Sequence, residues 1–343
     1  MKTSVAATHG PEVLGGVGGF AGLFDASALV GYRRPLLATS TDGVGTKIAI
    51  AIALDKHDTI GQDLVGMVVD DIVVVGARPL YLTDYVACGR VIPERIAAIV
   101  GGIARGCAET GTALLGGETA EHPGMMSPDE YDIAAAVTGV VEADDLLGPE
   151  RVQHGDVVIA IASNGLHSNG YSLVRHILAA QGRDLGEEIA EFGRSLGEEL
   201  LEPTRLYATP VLALLDAIPG AVHAMSHVTG GGIAANLARV LPEGSWVDVD
   251  RSTWSPQPVF RVLADWGGLS LGEVEGTWNV GIGLLVVVAA DAASSVIHEL
   301  GIAGLPAWAA GRVTVGTRDL TGFVAGAKGV AGGAVRLVGG YAD

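Results

Sequence analysis

The stretch Leu36-Leu37-Ala38-Thr39-Ser40-Thr41-Asp42-Gly43-Val44-Gly45-Thr46-Lys47 sets the reading of the chain. Leu36 to Thr41 reads as a strand, Asp42-Gly43 stops it, and Thr46 opens a helix that runs to Leu54. The same succession of strand, glycine-bearing loop and helix recurs downstream. Ile60 to Val75 reads as a buried helix and Pro79 to Val86 as a strand. Pro93 to Glu109 reads as a helix, with Pro at its first turn and Gly111 past its end. Ala113 to Leu115 reads as a short strand ending in Gly116-Gly117-Glu118, and Tyr131 to Val141 alternates as a long strand. Acidic and turn residues then cluster at Glu142-Ala143-Asp144-Asp145 and Gly148-Pro149-Glu150, which places a domain boundary there. In the second half Val157 to Ala162 and Asn279 to Ala289 read as strands, and Gly170 to Ala180, Thr204 to Asp216 and Val259 to Trp266 as helices. The expectation is an α/β (α+β) protein of two domains, residues 1–142 and 143–343, with a cleft between them.

Composition narrows the function. Lys plus Arg number 21 and Asp plus Glu 39 in 343 residues, a formal net charge of −18. Such a surface repels nucleic acid and anionic membrane. Hydrophobic residues make up 49% of the chain, enough for a sizeable core. The two cysteines, Cys88 and Cys107, rule out a disulfide framework and any CxxC motif. No apolar run reaches the ~18 residues of a membrane span, and Met1 to Gly10 lacks the apolar stretch of a signal peptide. A cytoplasmic protein is expected. Glycine, at 51 residues, is about twice its usual ~7% share and asks for an explanation.

Several predicted strand ends carry glycine beside a carboxylate, an amide or a hydroxyl. In Asp42 to Lys47 the carboxylate can hold Mg²⁺, Gly43 and Gly45 let backbone N–H groups approach phosphate, and Lys47 adds a charge at a helix start. A tight turn capped by Thr46 is the plainer reading. No GxxxxGK[ST] loop occurs in the chain. Asp70 and Asp71 lie in an apolar helical stretch and point about 100° apart, so one of them at most reaches a given site. Glu118 is a metal ligand, a nucleotide anchor or a turn carboxylate. His167-Ser168-Asn169-Gly170 follows a strand and opens a helix. Ser168 or Asn169 can cap it, and His167 can donate to phosphate or move a proton. His227-Val228-Thr229-Gly230-Gly231-Gly232 also opens a helix, and three successive glycines exceed what a cap needs. Bare N–H groups there make an anion site. Gly15 to Gly22 is a further glycine-rich loop, read as a cover over a ligand. No GxSxG motif occurs. Together these features point to an enzyme that takes a nucleotide and a second phosphorylated ligand.

Read in order, the motifs resemble the phosphoribosylformylglycinamidine cyclo-ligase (aminoimidazole ribonucleotide synthetase) family. They are Thr41 to Lys47, Asp71 with Gly76-Ala77-Arg78-Pro79-Leu80 and Asp84-Tyr85, Gly116-Gly117-Glu118-Thr119-Ala120-Glu121, His167 to Arg175, Pro203-Thr204-Arg205, His227 to Gly232, and Asn279-Val280-Gly281-Ile282-Gly283. Selenophosphate synthetase, thiamine-phosphate kinase and hydrogenase maturation proteins share the shorter elements. The His167 to Arg175 block and the Gly-Gly-Glu-Thr-Ala-Glu run select the cyclo-ligase. The resemblance implies a homodimer whose N-terminal mixed sheets pair into a barrel, and a C-terminal α/β sandwich. It implies ATP-dependent closure of formylglycinamidine ribonucleotide to 5-aminoimidazole ribonucleotide, with ATP and Mg²⁺. By the resemblance Asp42, Asp71 and Glu118 serve Mg²⁺, and Gly43, Gly45, Thr46 and Lys47 join them at the nucleotide. Ser168, Asn169, Thr229, Gly230, Gly231 and Gly232 serve the substrate. His167, Asp71 and His227 serve catalysis. Asp70 stands where the family usually has Asn and adds negative charge near the phosphates. Two alternatives stay open: another phosphotransferase of the superfamily, and a nucleotide-binding protein without turnover. Selenophosphate synthetase would need a reactive Cys in a Gly-rich N-terminal loop, where neither Cys88 nor Cys107 stands.

Overall fold

Residues 2–15, 19–327 and 329–342 are described in the computed structural model. They divide into two units, Met1–Leu146 with Leu200–Thr209, and Leu147–Glu199 with Pro210–Asp343. Among the described residues no helix is long and apolar enough to cross a membrane.

Unit 1 is organised by a four-stranded sheet of order β1-β4-β2-β3, from β1 (Pro35–Gly43), β2 (Arg78–Cys88), β3 (Ala113–Glu121) and β4 (Tyr131–Glu142). β2 and β3 run parallel, and the other neighbours antiparallel. Strand alternation sorts the side chains. Leu36, Ala38 and Ser40 of β1 turn to the side covered by helices, and Leu37, Thr39 and Thr41 to the other. The helices are α1 (Lys2–Ala6), α2 (Ile48–Leu54), α3 (Ile60–Val73) and α4 (Pro93–Glu109). α3 is buried on nearly every face. Ile60, Leu64, Val65, Val68 and Val69 are all buried, each stabilising by roughly 1.5–3 kcal/mol. α4 reaches α3 closely because Gly61 has no side chain, and a Cβ there would overlap the backbone at Ile103. The far face of the sheet is open, with Leu37 63% and Tyr85 41% exposed.

Two expectations fail in unit 1. The strand beginning at Ala113 does not stop at Leu115. It continues to Glu121, so Gly116-Gly117-Glu118 lies within β3, paired with Thr83, Asp84 and Tyr85 of β2. A register shift beside Leu115 absorbs the irregularity that the glycine pair suggested was an end. Nor does a helix begin at Thr204: residues 201–207 are not helical, and α6 (Ala208–Ala217) starts later. This non-helical segment docks on α3 through buried carboxylates.

Unit 2 contains two sheets. One has order β6-β8-β5-β9, from β5 (Val157–Ala162), β6 (Val222–His227), β8 (Ile282–Val288) and β9 (Ala307–Arg312), all neighbours antiparallel. The other has order β10-β7-β12-β11, from β7 (Ser245–Asp250), β10 (Thr314–Val315), β11 (Val324–Ala327) and β12 (Val330–Val338). Val158, Ala160, Leu285 and Val287 of the first share one core with Val247, Val249, Val335 and Leu337 of the second. Ile233 and Leu237 of α7 (Gly232–Ala238) complete it. α5 (Tyr171–Gln181), α8 (Pro258–Gly267) and α9 (Ala293–Ile302) are the longer helices of this unit. β8 is buried at every position, which is why it reads as an unbroken apolar run. It begins only at Ile282, because Val280 and Gly281 take positive φ values of 45° and 96°. β6 escaped the sequence reading because His223, Ser226 and His227 interrupt its apolar pattern.

Candidate functional site

Unit 1 presents carboxylates. Asp42, exposed at the end of β1, accepts from the Gly43 N–H at 2.7 Å. Position 43 must be small, since a Cβ there would stand 2.9 Å from the Ile133 carbonyl oxygen of β4. Gly45, at φ +70°, turns the chain into a short 3-10 turn, Gly45–Lys47. Thr46 is exposed on that turn and does not cap it; Val44 holds the cap position with no side-chain bond. Asp71, half-buried on α3, accepts from the Ser40 hydroxyl at 3.4 Å. Ser40 and Asp42 alternate along β1, so Asp42 and Asp71 share the helix-covered side of the sheet.

Lys47 and Asp70 are placed otherwise than expected. Lys47 is fully buried, and its Nζ donates to Asp63 Oδ1 at 2.8 Å and to the Glu202 carbonyl oxygen at 2.6 Å. Burial pulls its pKa below the usual lysine value, and the Asp63 carboxylate opposes that pull. A lysine with no exposed surface meets no phosphate in this arrangement. Asp70 is also buried and accepts from the Tyr207 N–H at 3.1 and 3.3 Å. It anchors residues 202–207.

Glu118 is exposed on β3 and accepts from the Thr119 N–H at 3.0 Å. Among the described residues no three His, Cys, Asp or Glu side chains gather to hold a metal ion. The expected triad of Asp42, Asp71 and Glu118 is therefore not assembled. β1 and β3 are opposite edges of the sheet, and Glu118 pairs with Tyr85 of the open face, away from the side of Asp42 and Asp71. Asp42 and Asp71 still fit a Mg²⁺ ion carried by nucleotide phosphates, which needs only one or two protein carboxylates.

Beside Glu118 lies a cavity of about 420 Å³, walled by the N-terminal residues, by Val100 of α4 and by Thr83, Asp84 and Gly116 of the sheet. This volume suits a small ligand. The N-terminal wall is tied to β3 at Leu114. The Leu114 N–H donates to the Thr8 hydroxyl oxygen at 3.0 Å, and its carbonyl oxygen lies 2.8 Å from His9 Nε2. Of the Gly15 to Gly22 loop, Gly15, Gly19 and Gly22 line the cavity, while residues 16–18 lie outside the described residues. Asp84 is a cavity residue to which the sequence reading gave no role. Burial pushes its carboxyl up to about 6. It fits only because position 117 is glycine, where a Cβ would overlap Asp84 Oδ1. The available signal was its place in the Asp84-Tyr85 element.

Unit 2 gathers its motifs by topology. β5 and β6 both run antiparallel to β8, so their C-terminal ends and the start of β8 lie at one end of the sheet. Three loops, residues 163–170, 228–231 and 279–281, meet there. Asn279 Nδ2 donates to the Gly165 carbonyl oxygen at 2.9 Å, and the Ser163 N–H to that of Gly281 at 2.9 Å. Asn169 faces Gly230: a Cβ on Gly230 would lie 3.6 Å from Asn169 Oδ1. His167 and His227 are 2% and 5% exposed, and His167 takes a left-handed φ of 59°. Ser168 and Thr229 are buried, Asn169 and Gly230 half-buried, and Gly231 exposed.

The caps differ from expectation. Gly170, not Ser168 or Asn169, caps α5, without a side-chain bond. A Cβ at 170 would overlap the Trp278 indole, whose Nε1 donates to the Gly170 carbonyl oxygen at 3.3 Å. Gly232 is also a packing glycine. Its N–H donates to the Thr229 carbonyl oxygen at 3.1 Å, and a Cβ would overlap the Glu275 carbonyl. That leaves Gly230 and Gly231 as the glycines of the run open to a ligand. Cys88 and Cys107 are buried, and burial pushes both thiols up, so neither supplies a reactive thiolate.

Residues 25–141 match the family described as AIR synthase related protein, N-terminal domain, and residues 153–321 match its C-terminal domain. This two-domain fold, with mixed helices and sheets, defines the AIR synthase related class. The chain is 48% identical over 317 residues to a phosphoribosylformylglycinamidine cyclo-ligase of Geobacillus kaustophilus (strain HTA426), covering 92% of this chain and 91% of that one. It belongs to the phosphoribosylformylglycinamidine cyclo-ligase family and is an ATP-dependent cyclo-ligase of purine biosynthesis. Its fold is similar to thiamine-monophosphate kinase from Stenotrophomonas maltophilia K279a, with TM-score 0.66 and 21% identity over 99% of this chain and 96% of that one. It is also similar to hydrogenase maturation protein HypE in complex with ATP, with TM-score 0.63 and 18% identity over 91% and 84% of the two chains.

Proposed function

We propose that unit 1 handles ATP and that the three converging loops of unit 2 hold formylglycinamidine ribonucleotide. The observation that carries the substrate assignment is the meeting of the His167-Ser168-Asn169 and Thr229-Gly230-Gly231 loops, with Asn169 against Gly230. Amide hydrogens of Gly230 and Gly231 suit a phosphate, and Ser168, Asn169 and Thr229 add polar side chains. In unit 1, Asp42 and Asp71 share the helix-covered side of the sheet and mark the nucleotide site. Asp42, Gly43, Gly45, Thr46 and Asp71 take the phosphates. Asp42 and Asp71 would hold Mg²⁺, which supplies charge neutralisation when bound.

The amide oxygen of the substrate is a poor leaving group. Transfer of the γ-phosphoryl of ATP to that oxygen releases ADP and creates a phosphate leaving group. The amidine nitrogen then attacks the same carbon, the C–O bond breaks with its electrons on phosphate, and the ring closes. The attacking nitrogen gives up a proton, for which His167 and His227 at the loop end are the acceptors. Both steps are won by positioning, and no covalent nucleophile is needed.

The open sheet face of unit 1, with Leu37 and Tyr85 exposed, supports a homodimer that pairs two such faces, since a sheet with apolar residues on both sides needs cover on both. The site reading is tested by following aminoimidazole ribonucleotide formation in Asn169→Ala. The KM for the ribonucleotide rises about tenfold, as expected for a lost substrate hydrogen bond, while KM for ATP holds. Unchanged kinetics would remove the loop from the site.

A further inference from the structure

Asp63 of α3 is fully buried, and its Oδ1 takes hydrogen bonds from two distant parts of the chain. Lys47 Nζ donates at 2.8 Å, the Thr204 N–H at 2.8 Å and the Thr204 hydroxyl at 2.7 Å. Lys47 closes the network by donating to the Glu202 carbonyl oxygen at 2.6 Å. Gln62 Nε2 donates to the Thr204 carbonyl oxygen at 2.9 Å. About two turns on, Asp70 accepts from the Tyr207 N–H. Between them Gly66 leaves room for Thr204, whose Cγ2 would be 2.7 Å from a Cβ. One face of α3 is thus a seat for residues 202–207, and the same carboxylate grips the residue that follows Thr46.

A buried ion pair is a weak source of net stability, because desolvation offsets most of the Coulombic gain. An apolar contact would hold the segment as well. What the pair adds is geometry: one oxygen atom fixes two backbones relative to each other. We propose that Asp63 is a positioning residue for ring closure. Through Lys47 it sets the Asp42–Thr46 loop, and through Thr204 it sets residues 202–207. Lys47 acts in this network and not as a phosphate ligand. The inference rests on reading Asp42–Thr46 as a nucleotide loop.

Lys47→Met, Asp63→Asn and the double variant are compared with wild type by thermal melting and by kcat and KM for ATP. Each single substitution strands a buried group and lowers the melting temperature. The double variant removes both charges and regains most of that loss. Its kcat/KM for ATP nevertheless stays about tenfold or more below wild type, with KM for ATP raised in all three variants, as for a displaced reacting geometry. Recovery of kcat/KM together with the melting temperature would reduce the pair to charge balance and overturn the proposal. So would a KM for ATP that rises in Lys47→Met but not in Asp63→Asn, because Lys47 would then meet the nucleotide itself. Thr204→Val keeps both charges and serves if the other variants do not fold. It should lower kcat/KM several-fold with little change in melting, and an unchanged kcat/KM overturns the proposal. Asp42→Ala reports on the loop reading separately. An unchanged KM for ATP in that variant sinks the loop assignment, whatever the Lys47 and Asp63 variants show.

Discussion

Unit 1 and unit 2 place glycine beside polar side chains in their candidate site regions, but the glycines serve different physics. In unit 1, Gly117 clears space for a carboxyl, that of Asp84, and Gly43 clears space for a neighbouring strand. In unit 2, Gly170 and Gly232 clear space for an indole and a carbonyl, and within the Gly230 to Gly232 run Gly230 and Gly231 keep open space. Unit 1 therefore offers charge at its sheet, whereas unit 2 offers backbone amides and neutral side chains at converging loops. That division matches the roles proposed above, with ATP phosphates assigned to unit 1 and the ribonucleotide phosphate to unit 2.

The comparison breaks first at Gly170. Gly170→Ala forces a side chain into Trp278 at φ +77°, which should cost about 3 kcal/mol or more of stability in a denaturant melt. A normal melt with a raised substrate KM would make Gly170 a ligand-facing glycine instead. Asp71→Ala comes next. It should leave the melt near wild type and lower kcat/KM for ATP about 100-fold, or roughly 2.7 kcal/mol of transition-state stabilisation. Unchanged ATP affinity and turnover would remove Asp71 from the site.

Asp84 gives a smaller effect with a defined sign. Its carboxyl is raised from 3.8 to about 6, so between those values the folded protein keeps a proton that the unfolded chain has lost. Stability therefore falls as pH rises through that window, and the loss is complete above it. Asp84→Asn removes the loss, so the variant should exceed wild type by about 1–3 kcal/mol near pH 7 and match it near pH 3.5. A constant difference across that range would show that Asp84 is not held protonated by its cavity. Leu37→Lys should change the melt least. Sedimentation should show it shifting a dimer to monomer, and an unchanged mass would leave the open face without a partner copy.

The strands and helices with strong periodicity were legible in the sequence. Val157–Ala162, a continuous apolar run, and Pro93–Glu109, bounded by Pro93 and Gly111, have the ends read from the sequence. The ordered motifs also carried the family, although Asp84-Tyr85 and Gly116 to Glu121 lie inside strands and not at their ends. What was not legible depended on partners far along the chain. Nothing near Lys47 says that Asp63 and Glu202 take its charge. Nothing near Gly116-Gly117 says that β2 extends the strand through them. The metal triad failed for a similar reason: residue type and order do not reveal that Glu118 and Asp42 lie on opposite edges and faces of one sheet. Glycine was read as bare backbone for phosphate, while at positions 117, 170 and 232 it is a vacancy that a neighbour fills.

The segment Leu200–Thr209 has a consequence for how the protein is made. Unit 1 is discontinuous: its chain runs to Leu146, and its last ten residues come after more than fifty that belong elsewhere. As the polypeptide leaves the ribosome N-terminus first, Lys47 and Asp63 can pair with each other, but the Glu202 carbonyl, Thr204 and the Tyr207 N–H that complete the bonding of Lys47, Asp63 and Asp70 have not yet been synthesised. Unit 1 can finish folding only after residue 209 has emerged. A gene fragment cut after residue 146 would lack the Glu202, Thr204 and Tyr207 contacts permanently, so the two units cannot be cleanly separated by one cut.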